Sequence, residues 1–276
     1  MKIWIITSGS ETLSLFKFLS LYNHDYVVYY DFFHWPYGDK LFDQSLACVE
    51  KGIEYLTTQG VDAIIVPPIY ELYLTQNSNL RAWSQKIIPL FTTYVLKYCF
   101  TYSLVGKLGL FWDFADIEKA QKLVENLAKH YVLHAHQTVI KKFHFPFAYR
   151  TKETPLRKYY LTSLSYSHIL VNKIIKFDLR YFKDAMVDTL IPLNYWYFHY
   201  QTTITKFLNF KKIRFHTLEI LDTVFQGIIE SKKNQEKKTY SIKIAYTWNN
   251  EILLREKRLI WLLQRGKSHE IIWEKI

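Results

Sequence analysis

The stretch VDAIIVPPIY, residues Val61–Tyr70, decides the fold of this chain. Its first half is apolar and rich in β-branched residues, which predicts a short buried strand. The Pro-Pro pair ends that strand, because proline cannot donate a ladder hydrogen bond. The pattern returns as VDTLIPLNYW, residues Val187–Trp196, where Asn194 matches Pro68. Two such strand ends predict two similar halves that face each other across a cleft.

Strands and helices alternate around the first stretch. Lys2–Thr7 and Tyr26–Tyr30 are predicted strands, and helical spacing of apolar residues predicts an amphipathic helix over Lys40–Thr58. Short connections between alternating strands and helices are typical of a parallel, doubly wound sheet, so the predicted fold class is α/β. Functional groups in such sheets gather at the carboxyl ends of the strands.

Two α/β domains of this kind are predicted, the first from residues 1–103 and 221–276 and the second from residues 104–220. The other predicted elements are a helix over Asn79–Lys86, a strand over Ile87–Leu90, a helix over Thr92–Tyr102, a strand over Lys107–Trp112, a helix over Ala115–Lys129, a strand or extended loop over Tyr131–Thr138, an irregular stretch over His144–Glu153, helices over Ser167–Ala185, from Trp196 to Phe210 and over Leu218–Glu230, strands over Ile213–His216 and Ser241–Thr247, a basic helix over Glu251–Gln264 and a strand over Glu270–Trp273.

The composition of the chain limits the classes of function that it can have. The chain has 276 residues, of which 49% are hydrophobic, and a net charge of +11. Only 8 residues are glycine, and neither a dinucleotide fingerprint nor a P-loop is present, which argues against nucleotide binding through a Gly-rich loop. Two cysteines, Cys48 and Cys99, cannot form a disulfide framework, and structural roles are predicted for both. The basic residues are scattered, so nucleic-acid association is only an alternative.

No stretch of the sequence reaches the roughly 20 apolar residues of a membrane span, and the apolar start Met1–Thr7 is too short for a signal peptide. The sequence therefore predicts a cytoplasmic protein without a membrane partner. No metal is predicted either: His130, His134, His136 and His144 lack a carboxylate or thiol at a spacing that would complete a zinc site.

The turn DFFHWPYG, Asp31–Gly38, followed by a helix and then VDAIIV, resembles the aspartate/glutamate racemase superfamily, and glutamate racemase most closely. In that family the turn precedes a strand that ends in Ala-Cys-Asn-Thr, and a later strand ends in Gly-Cys-Thr-His. An opening Asp-Ser-Gly of the family lies over Thr7, Ser8 and Gly9. A CP…VE segment lies over Phe145–Glu153, so that the resemblance spans nearly the whole chain.

The family's activity is cofactor-independent racemisation, in which one thiolate takes the α-proton from one face of the amino acid and a second thiol returns a proton from the other. The resemblance puts these two thiols at Pro68 and Asn194, and the supporting aspartate at Thr7. None of the three can replace a thiol or a carboxylate in proton transfer. The resemblance therefore implies the fold of a racemase in a chain that has lost the thiol mechanism.

The resemblance also implies where a small carboxylate or an aromatic ligand would lie, in the cleft between the halves, which bulky side chains at the tips are expected to fill in part or to adapt to another use. The predicted ligand-binding residues are Ser8, Gly9, Pro36, Tyr37, Gly38, Ile69, Tyr70, Tyr195 and Trp196. The leading hypothesis is a protein that binds a ligand or partner in this cleft without cysteine-dependent catalysis. The alternative is an isomerase or lyase of thiol-independent chemistry with Glu153 as the base. Homodimer formation is a further possibility that the family suggests.

Overall fold

The first of the two quoted stretches contributes an edge strand to one parallel sheet, and the second contributes an inner strand to another. These observations come from a computed structural model of the chain. The structure describes residues 1–7, 11–19, 21–22, 24–31, 33–34, 37, 40–58, 60–77, 82–112, 117–134, 148–150, 168–209, 212–229, 240–247 and 269–276.

The strands within these residues are β1 (Lys2–Thr7), β2 (Asp25–Tyr30), β3 (Ala63–Ile65), β4 (Leu108–Trp112), β5 (Ala148–Arg150), β6 (Thr189–Pro192), β7 (Arg214–Phe215), β8 (Tyr240–Tyr246) and β9 (His269–Lys275). The α-helices are α1 (Glu11–Leu19), α2 (Phe42–Thr57), α3 (Pro68–Gln76), α4 (Leu90–Tyr94), α5 (Ile117–His134), α6 (His168–Asp184), α7 (Gln201–Asn209) and α8 (Leu218–Ile229). Short 3₁₀-helices cover Ala82–Lys86 and Tyr195–Tyr200, and a π-helical turn, Val95–Phe100, continues α4.

The first sheet has the strand order β3-β1-β2-β8-β9, and the second has the order β5-β4-β6-β7. Every pairing is parallel; in the first sheet, for example, Ile5 lies opposite both Val28 and Ile65. The predicted α/β class with parallel sheets is confirmed. The apolar runs explain it, because β3 and β6 are buried along their full length, as strands covered by helices on both faces must be.

Helices cover the sheets with the apolar faces that their sequences predict. Helix α2 buries Phe42, Val49 and Ile53 against the first sheet, and Gly60, with φ of 74°, turns the chain towards β3 after that helix. In the second sheet Gly109 of β4 lets α6 approach closely, since a Cβ there would lie 2.6 Å from the Phe182 ring.

Elements of the first sheet's helical layer contact elements around the second sheet. The Gln76 side-chain amide at the end of α3 donates to the Leu123 carbonyl in α5, over 2.9 Å. Helix α8 follows β7 and packs back on α1, where the Phe18 and Phe225 rings meet edge to face with centroids 5.6 Å apart. The described parts of the two sheets therefore share one apolar core.

The first quoted stretch contains the short strand that the sequence predicts, and β3 ends before the Pro-Pro pair. The sequence did not predict the helix α3, which begins at Pro68 because proline suits the first helical position, where no N–H partner is needed. Ile87–Leu90 is no strand: Ile87 makes one bridge to Ile64, and α4 begins at Leu90. Of the helix predicted over Asn79–Lys86, the described residues form the 3₁₀-helix that begins at Ala82.

Two predictions in the second half also need correction. Residues 131–134, expected to be extended, continue α5 to His134, because the apolar spacing of that helix persists past Lys129. The stretch His144–Glu153, expected to be irregular, contains β5, whose Tyr149 lies opposite Phe111 in β4. The basic helix predicted over residues 251–264 lies outside the described residues.

Candidate functional site

The tip of β3 is closed by the helix that follows it. Helix α3 begins at Pro68, and Pro68, Ile69 and Tyr70 are all buried in its first turn. The Tyr70 ring stacks on Phe42 with centroids 5.6 Å apart, and it meets the Tyr37 ring edge to face at 6.0 Å. Aromatic groups therefore fill the space beyond this strand end.

The tip of β6 has a comparable closure. Asn194 is 4% exposed, and its side-chain oxygen accepts from the Trp196 backbone N–H over 3.0 Å, which caps the 3₁₀-helix Tyr195–Tyr200. Asparagine is a favoured N-cap because its short side chain reaches the free N–H groups of the first turn. Tyr195 and Trp196 are buried behind this cap, and the Trp196 ring stacks on Tyr197 with centroids 4.2 Å apart.

A buried carboxylate connects the two tips. Glu71, in the first turn of α3, is fully buried and accepts from the backbone N–H groups of Phe91 and Thr92 over 2.9 and 2.7 Å. Its Oε2 also accepts from the Tyr195 hydroxyl over 3.4 Å. Burial raises the pKa of Glu71 to about 7, although these hydrogen bonds oppose the rise.

Sequence reasoning missed Glu71. The signal that could have found it is a single acidic residue in the first turn of an otherwise apolar stretch, Pro68–Leu74. A carboxylate there can be buried only when polar donors surround it. The three donors come from residues 20 to 124 positions away in the chain, and local sequence patterns do not reveal such contacts.

A second polar group lies at the carboxyl end of β2. Asp31 is 1% exposed, and its backbone N–H donates to the Thr7 carbonyl at the end of β1, over 3.1 Å. The Asp31 carboxylate accepts from the Tyr37 hydroxyl over 2.9 Å and from the His34 backbone N–H over 3.2 Å. Burial and the Asp31 charge raise the pKa of Tyr37 well above its usual range, so this hydroxyl stays a donor. These contacts cap the turn that begins at Asp31.

His34 and Cys48 complete this polar group. The Nδ1 atom of His34 lies 2.9 Å from the nearer Asp31 carboxylate oxygen. Cys48, on α2, is half-buried, and its sulfur lies within 4.8 Å of a ligand atom of both other residues. Burial, together with the Asp31 charge, raises the pKa of the Cys48 thiol.

The predicted site residues are thus distributed as follows. Thr7, Tyr37, Pro68, Ile69, Tyr70, Asn194, Tyr195 and Trp196 are buried. Ser8, Gly9, Pro36, Gly38 and Glu153 lie outside the described residues, as do His136 and His144. The structure brings two pairs of residues into contact: the Tyr37 ring meets the Tyr70 ring, and the Tyr195 hydroxyl donates to Glu71. The His130 and His134 positions lie on α5, where the expected strand alternation does not apply.

No protein-family model and no curated sequence matches the chain. Solved structures do. A glutamate racemase isoform from Bacillus anthracis has a TM-score of 0.75 and 16% identity, over 99% of this chain and 96% of the other. A glutamate racemase from Francisella tularensis, solved in complex with D-glutamate, has a TM-score of 0.74 and 16% identity, over 100% and 97%. One from Aquifex pyrophilus has 20% identity and a TM-score of 0.63, over 99% and 98%.

The chain has the glutamate racemase fold. The resemblance inferred from the Asp31–Gly38 turn and the two Val-Asp strands is thereby confirmed at the level of fold. Among the described helices of this glutamate racemase fold, none is long and apolar enough to cross a membrane. Dimer formation, nucleic-acid association and a cytoplasmic location stay predictions.

Proposed function

We propose that this chain is a glutamate racemase-like protein that has lost cysteine-dependent amino-acid racemase activity and acts by binding a ligand or a partner in the cleft between its two halves. The observation that carries the proposal is the structural use of the two tip residues. Pro68 begins a buried helix, and the Asn194 amide is engaged in capping a 3₁₀-helix. Neither position holds a group that ionises in the physiological range.

The two cysteines of the chain support the same conclusion. Cys99 is buried in the turn that continues α4, and burial raises the pKa of its thiol far above neutrality. Cys48 lies on α2 beside Asp31, which also opposes its ionisation. A racemase needs two proton-transfer groups on opposite faces of the substrate. These thiols stand on neither tip, so they do not replace the missing pair.

The bulky side chains at the tips bear on where a ligand would bind. Tyr70, Tyr195 and Trp196 are buried, and a glutamate-sized ligand at the tips would have to displace them. The turn at Asp31 is more open, since the His34 side chain is 38% exposed. The Francisella tularensis neighbour was solved with D-glutamate, which makes a small carboxylate the first ligand class to test.

The second candidate is an isomerase or lyase with thiol-independent chemistry. The observation that favours it is Glu71, a carboxylate between the tips whose pKa, at about 7, is raised into the range of a general acid or base. Its complete burial and its three hydrogen-bond donors fit a structural role better. Glu153, the base predicted from sequence, belongs to the same alternative.

Proton exchange at the substrate α-carbon tests both candidates. Purified protein is incubated in D₂O with L- and D-glutamate and with L- and D-aspartate, and loss of the α-proton is followed by NMR. We expect no exchange above that of heat-denatured protein. Exchange that disappears in a Cys48→Ser/Cys99→Ser variant would restore the thiol mechanism and overturn the proposal.

Exchange that survives those serine substitutions but disappears in Glu153→Gln or Glu71→Gln would establish the second candidate instead. Binding is measured separately by calorimetry, with D-glutamate and D-aspartate as probes. We expect saturable binding that weakens in His34→Ala. Binding of neither probe would contradict a small carboxylate as the ligand.

A further inference from the structure

Three potential metal ligands, two from the turn after β2 and one from α2, meet beside the end of β2. Asp31 and His34 lie in that turn, and Cys48 lies nearly two turns into α2. One carboxylate oxygen, one imidazole nitrogen and the thiol sulfur all lie within 4.8 Å of one another. Among the described residues this is the group of histidine, cysteine and acidic side chains with the spacing of a metal site.

The carboxylate is held in place by groups that are not ligands. The Tyr37 hydroxyl donates to Oδ2 over 2.9 Å, and the His34 backbone N–H donates to Oδ1 over 3.2 Å. Thr247, after β8, contributes a longer contact of 3.4 Å to Oδ1. Outer contacts of this kind fix the orientation of a ligand before the metal arrives.

The distances suit a small tetrahedral ion. Bonds of about 2.0 Å to nitrogen and oxygen and 2.3 Å to sulfur put neighbouring ligand atoms of a tetrahedron with one sulfur roughly 3.3–3.5 Å apart. His34 Nδ1 and Asp31 Oδ2 lie 2.9 Å apart, and the Cys48 sulfur lies within 4.8 Å of a ligand atom of each, so the three atoms are close to that spacing.

The donor set selects the class of metal. A thiolate, an imidazole and a carboxylate together suit Zn²⁺ and similar borderline ions, whereas Mg²⁺ and Ca²⁺ prefer oxygen alone. We infer that Asp31, His34 and Cys48 form a site for Zn²⁺ or a similar divalent transition metal. Water occupies its fourth position, to which the 38% exposed His34 side chain gives access. On binding, the Cys48 sulfur releases its proton to solvent, and His34 binds in its neutral form.

This site does not depend on the function proposed above. The simpler explanation of the same geometry is a turn in which Asp31 caps His34, and that turn would need neither a metal nor Cys48. Cys48 therefore distinguishes the two explanations. The chain offers a matched control in Cys99, its other cysteine, which is fully buried in another part of the core.

Titration of the metal-free full-length protein with Co²⁺ tests the site, because a thiolate bound to Co²⁺ gives a charge-transfer band in the near ultraviolet. We expect one equivalent of Co²⁺ to produce this band together with visible bands of a four-coordinate ion, and Zn²⁺ to remove both. Cys48→Ser should abolish the charge-transfer band, whereas Cys99→Ser should leave it unchanged. Tyr37→Phe, which removes an outer contact, should weaken binding by roughly 10- to 100-fold.

Circular dichroism of each variant confirms that it is folded before titration. Absence of the band in the wild-type protein would overturn the inference. So would a band that survives in Cys48→Ser, or one that Cys99→Ser abolishes in a folded protein. A band that His34→Ala leaves at full strength and affinity would also contradict the proposed ligand set.

Discussion

At the scale of single residues, ionisation of Glu71 should change the free energy of unfolding of the whole protein. It is buried beside the ring of Tyr195, and its carboxylate has exchanged water for three protein donors. Its pKa is raised to about 7, from an ordinary value of 4.5. The folded protein therefore holds a proton at this site in a pH range where the unfolded chain has lost it.

The sign of the resulting pH dependence follows from proton linkage. Because the folded pKa is the higher one, the stabilisation is fully present below pH 4.5 and is lost as pH rises towards about 7. Over that window, ionisation of Glu71 should lower the free energy of unfolding by up to about 1.4 kcal/mol per pH unit. Urea unfolding of the wild type and of Glu71→Gln, compared at several pH values, isolates the contribution.

The glutamine variant cannot ionise, so its stability relative to the wild type should improve as pH rises through the window. Groups elsewhere in the chain titrate equally in both proteins and cancel in the difference. Parallel pH profiles for the two proteins would mean that Glu71 titrates alike in the folded and unfolded states, contrary to this prediction.

At the scale of elements, the sequence predicted well the strands that are buried on both faces and the helices with a clear apolar spacing. Lys2–Thr7 is confirmed residue for residue, and α2 lies within the predicted Lys40–Thr58. Both patterns depend on near neighbours in the chain. The contacts of Glu71 were not predicted, because its donors come from distant segments, Tyr195 among them.

The errors have a common physical origin. Pro68 follows the end of a strand, as predicted, but it is also a favoured first residue of a helix, and α3 was missed for that reason. The short strand β5 carries too few residues for a periodic signal, and its pairing with β4 comes from the tertiary fold. Nothing in the sequence spacing of His34 and Cys48 indicates that the fold brings both side chains to Asp31.

Close packing between β4 and α6 predicts a strong effect of one added methyl group. In Gly109→Ala the new Cβ would lie 2.6 and 2.8 Å from two ring atoms of Phe182, which is itself fully buried. We expect a loss of about 1–3 kcal/mol in the free energy of unfolding, as is usual for overpacking. Denaturant unfolding at one pH measures it.

The matched control is Gly227→Ala in α8, where nothing lies within 4 Å of the new Cβ. That substitution should be neutral or should stabilise by up to about 1 kcal/mol, because alanine favours a helix over glycine. Equal changes in the free energy of unfolding for the two substitutions would contradict the prediction, because they would mean that α6 can move away from β4 far enough to admit the methyl group without loss of stability.

At the scale of the whole molecule, the question is how strongly the two halves depend on each other. The predicted division, residues 1–103 with 221–276 and residues 104–220, stays a proposal, and its second boundary falls within α8. Buried contacts join the two sheets near their tips: the Tyr195 hydroxyl donates to Glu71, and the Tyr195 ring meets the Phe91 ring edge to face. The two halves should consequently unfold together.

A double-mutant cycle on Glu71→Gln and Tyr195→Phe measures the contact between the tips. The Tyr195 hydroxyl donates to the ionised carboxylate, so the coupling free energy should lie at roughly 0.5–3 kcal/mol and should be larger above the Glu71 pKa than below it. Tyr94→Phe provides the matched control, because the Tyr94 hydroxyl is buried but donates to the His216 carbonyl instead. Its cycle with Glu71→Gln should close to within about 0.5 kcal/mol. The prediction would be wrong if the coupling free energy between Glu71 and Tyr195 were no larger than that between Glu71 and Tyr94. In that case aromatic packing alone would join the two halves. The buried carboxylate would then stabilise only the start of α4, where it accepts from the Phe91 and Thr92 N–H groups.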